Sequence, residues 1–165
     1  MSTDAIVLLK EDHKEVRKQF RAFRKPDQTA VQKQTIVDTI LELLTVHTYV
    51  ENEVMYPRVR ELLPDLEDDV LESYEEHHVA DVLCLELSAM DATDERFDAK
   101  TTVLIENVEH HMEEEEQDWF PKVREGLGRK QLQELGEALL EAKKRAPRRP
   151  EQPGAVKKAI DAVVS

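Results

Sequence analysis

The chain has a single cysteine, Cys84, in 165 residues. No internal disulfide can form and no multi-thiolate metal site can be built. That usage fits a reducing compartment. Glycine is scarce, at four positions, which argues against a β-rich or low-complexity chain. Basic side chains are in deficit, with 23 Lys and Arg against 36 Asp and Glu. The deficit is uneven. Residues 143–165 carry seven bases and two acids, leaving 16 bases against 34 acids in the rest. So acidic a body repels nucleic acid and anionic membranes, so neither is expected as a partner. No apolar run is long enough to span a bilayer. The N-terminus, MSTDAIVLLKEDHK, lacks the basic start and long apolar core of a secretion signal. A cytoplasmic location is the expectation.

What remains is helical. Apolar residues make up 40% and charged residues 36% of a length that suits one domain. Thr3 and Asp4 can cap a first helix reaching about Arg24. Pro26-Asp27 breaks the chain before a second helix, roughly 28–63, which Pro57 should kink or divide. Pro64-Asp65 opens a third, reaching about Met90. DATDE (91–95) is a polar turn. A fourth helix follows, stopped by Gly126 and Gly128, and a fifth covers 129–145. RAPRRPEQPG (145–154) has three prolines and reads as a flexible linker, with helical turns available to the final AVKKAIDAVVS. No strand pattern is present. The expected fold is all-α: an up-down-up-down four-helix bundle plus a C-terminal helix over residues 1–145, then a basic tail, 146–165.

A repeat singles out the polar residues of interest. At an ungapped offset of 64, His13 falls on His77, His47 on His111 and Glu51 on Glu115. PRVRE (57–61) falls on PKVRE (121–125), and Tyr56 on Phe120. Helices 1–2 and 3–4 therefore read as two copies of one hairpin, related by a pseudo-twofold axis. The repeated histidines sit on apolar stripes: His13 between Leu9 and Val16, His47 after Ile40 and Leu43, His77 after Val70, His111 after Leu104 and Val108. Each glutamate follows a histidine by four residues, about 40° around a helix. Each pair thus presents an imidazole and a carboxylate on one inward face. Buried ionised carboxylates need a cation. Four imidazoles and two carboxylates at one depth suggest two ions, with glutamates bridging and histidines capping. The donor set suits iron, manganese or zinc. Asp12, Glu76, Glu114 and Glu116 read as surface charges, and His110 as outside the cluster or behind it. Cys84 reads as core filler. Tyr56, Trp119 and Phe120 are expected to close one end of the bundle.

At these residues the chain resembles the hemerythrin-like, or HHE cation-binding, family. LLKEDHKEVRKQF, HTYVENEVMYP, EEHHVADVLCLEL and HHMEEEEQDWFP match its successive motifs, so the resemblance covers about residues 5–125. It implies a four-helix bundle holding a non-haem di-iron centre, two irons bridged by two carboxylates and by an oxo or hydroxo group. Carried over by position, His13, His47, His77 and His111 would be terminal ligands, and Glu51 and Glu115 bridges. One seat departs from the pattern. Oxygen-carrying members use a fifth histidine one turn before the residue matching His77, where this chain has Ser73. Tyr74, His78 or water could fill that seat. As a ligand, Tyr74 would favour ferric iron; the preferred reading is a core aromatic hydrogen-bonded beside the site.

The leading functional reading is a di-iron protein that binds or reacts with peroxide, oxygen or nitric oxide. The missing histidine favours catalase-like peroxide breakdown or nitric oxide handling over oxygen transport. An iron- or oxygen-sensing module without turnover is the alternative, with the basic tail engaging a protein partner. A zinc or manganese hydrolase ranks third, since no phosphate cradle is visible.

Overall fold

Asp4 starts the first helix as its side chain accepts from the backbone N–H of Ile6 (2.9 Å) and Val7 (3.1 Å). The computed structural model describes residues 3–151, so residues 152–165, with the final AVKKAIDAVVS, lie outside the described residues. α1 spans Ala5–Phe23. The Gln28 side chain closes its far end by donating to the carbonyls of Ala22, Phe23 and Lys25. A reciprocal Thr29–Gln32 capping box starts α2, Ala30–Val50. α3 is Tyr56–Leu62, and one 3-10 turn, Pro64–Leu66, leads into α4, Glu67–Ser88. α5 is Phe97–Glu114, α6 is Phe120–Gly126 and α7 is Arg129–Arg145. Every regular element among the described residues is helical.

The expected break at Pro57 takes a specific form. α2 runs into α3 through a π turn, Glu51–Met55. α5 runs into α6 through a second, Glu115–Trp119. Each turn begins on a repeated glutamate and ends just before the Tyr-Pro or Phe-Pro step. Pro57 and Pro121 have no N–H to give, and their rings crowd the carbonyl four residues back. The backbone relaxes to the wider i→i+5 pattern: Tyr56 N–H reaches Glu51 O, and Phe120 N–H reaches Glu115 O. The two π turns stand 64 residues apart, the offset of the sequence repeat.

α1 packs on α2 and α4 on α5, while α2 meets α4 and α1 meets α5. Two apolar clusters result. One joins Leu9, Val50, Val59, Val70 and Val123 to α7 through Leu132, Leu135 and Leu139. The other joins Val16, Phe20, Ile40, Leu87, Leu104 and Val108. The repeated histidines fall between them along each helix, so a polar layer is enclosed by apolar ones. No helix among the described residues is long and apolar enough to cross a membrane.

α7 roofs the α1–α2 side. Its closest approach is at Gly136, where a Cβ atom would lie 1.5 Å from the Thr3 carbonyl oxygen. Backbone is on the other side, so no rotamer change relieves the clash. Gly136→Ala is expected to cost at least about 2 kcal/mol through displacement of α7, read by chemical denaturation. The same change at Gly128, which has open space around it, is the control.

Candidate metal centre

Four histidines meet inside the helices with their Nε2 atoms converging. His13 Nε2 lies 3.2 Å from His47 Nε2, and His77 Nε2 lies 3.0 Å from His111 Nε2. All four are buried, His13 completely. Glu51 and Glu115 connect the two pairs. Glu51 Oε1 is 2.8 Å from His47 Nε2 and 3.4 Å from His77 Nε2. Glu115 Oε1 is 3.2 Å from His111 Nε2 and 3.5 Å from His13 Nε2. Each carboxylate therefore touches one histidine from each pair. Two groups able to hold a cation result: His13, His47 and Glu115; and Glu51, His77 and His111.

The carboxylates carry the strongest signal. Glu51 is 0% exposed and neither of its oxygens has a hydrogen-bond partner. Glu115 is 2% exposed and its Oε1 has none. Burying such oxygens is costly unless a cation satisfies them. The nitrogen–oxygen donor set fits a borderline or hard divalent ion.

Behind the inward nitrogens, every Nδ1 has a partner on a neighbouring helix. His47 Nδ1 donates to Asp12 Oδ2 (3.1 Å) and His111 Nδ1 to Glu76 Oε1 (3.1 Å). His77 Nδ1 donates to Asn52 Oδ1 (2.7 Å) and His13 Nδ1 to Glu116 Oε1 (3.3 Å). Such bonds fix the tautomer that leaves Nε2 free as a ligand. The partners obey the repeat: Asp12 and Glu76 are 64 residues apart, as are Asn52 and Glu116. Reading Asp12, Glu76 and Glu116 as surface charges is thus corrected. Sequence spacing within one helix cannot reveal a contact made between helices. Lys143 of α7 pairs with Asp12 at 2.6 Å, and Arg17 grips Glu116 through both guanidinium nitrogens, at 2.9 and 2.7 Å. Asp12→Asn and Glu76→Gln are each expected to weaken metal affinity about 10- to 100-fold, measured by competition with a chromogenic chelator.

Charge balance in the metal-free site follows from these contacts. Burial works against a charged His47, but Glu51 and Asp12 outweigh it and hold the imidazole up at about 10. His111 is likewise raised well above its ordinary range, against burial, by Glu115 and Glu76. Burial wins at His77 and lowers it. Glu51 lies well below the carboxylate range, because His47 and His77 overcome its burial. The site therefore carries protons that an incoming cation must displace.

One residue within this cluster was not expected there. Tyr56 is completely buried, and its Oη lies 3.1 Å from His77 Nε2 and 3.2 Å from His111 Nε2. The phenol donates to Glu115 Oε2 at 3.2 Å. Ser73, buried in α4, faces the Tyr56 hydroxyl itself. Tyr56 thus does not close an end of the structure; it stands beside Ser73, where the five-histidine pattern has an imidazole. Burial first, then Glu115 and Glu51, push its pKa well above the usual phenol range. Its repeat mate Phe120 stacks on His13 with ring centroids 5.8 Å apart. One hydroxyl therefore distinguishes the two halves.

The other candidates lie outside the cluster. Tyr74 is half-exposed and donates to the Asn52 carbonyl at 3.3 Å, so it supports the shell around His77. His78 is half-buried near Asp81, whose pKa burial raises to about 6. His110 is exposed and pairs with Glu114 at 3.0 Å. Cys84 is buried and burial pushes its thiol pKa up, as suits core packing.

A search of curated proteins finds no match. The crystal structure of a hemerythrin HHE cation-binding domain-containing protein from Mycobacterium kansasii superposes with a TM-score of 0.71. It is 20% identical, and the likeness covers 86% of each chain. The hemerythrin HHE cation-binding domain matches residues 4–123, most of the sequence, and the chain belongs to that family.

Proposed function

We propose that this chain is a non-haem di-iron protein that reacts with small oxidants, with peroxide breakdown or nitric oxide handling favoured over oxygen transport. The observation that carries this reading is the pair of buried carboxylates, Glu51 and Glu115, each set between two histidine pairs, with both oxygens of Glu51 and Oε1 of Glu115 left without a hydrogen-bond partner. His13 and His47 would hold one iron, and His77 and His111 the other. Glu51 and Glu115 would bridge. Bound there, the irons would supply one-electron redox chemistry and open positions for a small molecule. The fold is then read as an up-down-up-down bundle of α1, α2–α3, α4 and α5–α6. Its pseudo-twofold repeat is supported by the matched π turns and matched Nδ1 partners. Residues 1–145 would form the domain and 146–165 a basic tail, in a cytoplasmic protein.

The chain's own groups suit this chemistry. Apolar clusters pack on both sides of the layer. Tyr56 holds a proton at Oη, aimed at Glu115 Oε2 within reach of both second-half histidines. That proton is placed to be shared with a peroxide oxygen as its O–O bond breaks. Peroxide disproportionation needs no further reductant, since one peroxide is reduced to water and a second is oxidised to oxygen. The test is oxygen evolution from hydrogen peroxide, with nitric oxide consumption measured in parallel. Iron-loaded protein should turn over one of them far faster than metal-free protein; inertness to both would overturn the reading.

One contact favours a second reading, a sensing module without turnover. His47 Nδ1 bonds Asp12, and Asp12 pairs with Lys143 of α7, linking the metal layer to the start of the basic tail. Metal-dependent protease cleavage near residue 146 in a protein inert to oxidants would support it.

A further inference from the structure

We infer that Glu76, His110 and Glu114 form a third, exposed cation site, which captures a divalent ion and passes it to the buried centre through an adjoining acidic cavity. This rests on the metal-binding reading above and adds a loading route to it. The potential ligand atoms of the three side chains lie within 4.8 Å of one another. His110 Nε2 is already 3.0 Å from Glu114 Oε1. Glu76 belongs to both levels, since it also accepts from His111 Nδ1 at 3.1 Å.

Glu76 and Glu114 line a cavity of about 260 Å³ whose floor is His111 and Glu115. Glu115, 2% exposed, lines this cavity and holds its unpartnered Oε1 at the buried centre, 3.2 Å from His111 Nε2 and 3.5 Å from His13 Nε2, so the cavity ends at a carboxylate of that centre. Ser73 lines the same floor, so a small side chain stands where an imidazole would narrow the passage. Asp69, Glu72 and Asp118 line the cavity as well. Lys122 spans Asp69 (3.6 Å) and Asp118 (3.2 Å) at one side. An acidic funnel of this kind concentrates cations and repels anions.

The matching positions in the other half of the repeat differ. Sixty-four residues before His110 and Glu114 stand Val46 and Val50, both buried on the side that α7 covers. The cavity there, about 140 Å³, is lined by Lys143 and Arg148 along with Asp12, Glu15 and Glu42. α7 thus covers these matching positions in the first half, while His110 and Glu114 stay exposed.

The test is stopped-flow uptake of Co²⁺ by metal-free full-length protein, followed by quenching of Trp119, the chain's single tryptophan. The final metal content is measured separately. His110→Ala with Glu114→Gln, and Asp69→Asn with Glu72→Gln, are each expected to slow uptake about five- to tenfold at low salt and leave the final content unchanged. Added salt should slow the parent and narrow the gap. Glu15→Gln with Glu42→Gln should match the parent. Unchanged rates in both first variants, or equal slowing in the Glu15/Glu42 variant, would overturn the route. A parent protein that takes up no cation would contradict the proposed function, and this route with it.

Discussion

Tyr56→Phe is expected to retain both metal ions and the parent's thermal midpoint within a few degrees, yet lose about a hundredfold or more in oxidant turnover. The fold should tolerate the change because the same ring, without the hydroxyl, already occupies the repeat position as Phe120. What disappears is the Oη hydroxyl with its proton, an oxygen 3.2 Å from Glu115 Oε2 and 3.1 and 3.2 Å from two inward imidazoles. Phe120 leaves the first half without that donor, so nothing there compensates. Tyr74→Phe is the matched control, since its hydroxyl reaches only the Asn52 carbonyl. Metal content, thermal denaturation and steady-state peroxide or nitric oxide assays separate the outcomes. Parental turnover in Tyr56→Phe would remove the phenol from the chemistry.

Metal removal should show the largest effect on stability. Both oxygens of Glu51 and Oε1 of Glu115 lack a hydrogen-bond partner that could replace a cation. An ion present at a thousand times its dissociation constant stabilises by about 4 kcal/mol, so chelation should lower the thermal midpoint by roughly 10–15 °C. Glu51→Ala should hold at most one ion per chain, because Glu51 reaches a histidine of each pair. Rebinding should release about two protons per chain at neutral pH, from His47 and His111, whose pKa values stand above their ordinary ones in the metal-free site. The signs for metal-free protein follow directly. The raised His47 contributes stability below its ordinary 6.5 that is lost as pH rises through about 10. The lowered Glu51 contributes stability above its ordinary 4.5 that is lost as pH falls. Metal-free protein should therefore be most stable between the ordinary values of the two groups, 4.5 and 6.5, and lose stability on either side. A flat profile, or uptake without proton release measured in weakly buffered dye, would contradict this charge assignment.

Much of the fold was legible because helices write their burial into the sequence at fixed spacing. His13 between Leu9 and Val16, and His111 after Leu104 and Val108, lie on stripes that the structure buries. Repetition at 64 residues then picked out Glu51 and Glu115 among many other acidic residues. Tyr56 was missed for a geometric reason. Five residues on from Glu51, regular α-helical counting puts it about 140° away around the axis. The π turn winds more slowly and brings that residue back toward the glutamate's face. A signal was available: the Tyr-Pro and Phe-Pro steps recur at the repeat offset, and at that step only one copy has a hydroxyl. Asp12, Glu76, Asn52 and Glu116 were missed because their bonds join different helices, which one-helix periodicity cannot register. Tyr74 lies on nearly the same side of α4 as His77, yet its hydroxyl ends on Asn52, one layer out.

The central claim is a two-iron centre built from six side chains, and the most direct measurement is metal analysis with an ultraviolet–visible spectrum of protein purified without chelator. About two irons per chain, with near-ultraviolet bands of an oxo-bridged ferric pair, is the expected result. A broad visible band that vanishes in Tyr56→Phe would put a phenolate on iron and contradict the role of Tyr56 as a proton holder. Two zinc or manganese ions in place of iron would keep the site and contradict its redox role. Protein that binds no metal under any loading condition would contradict the account at its root.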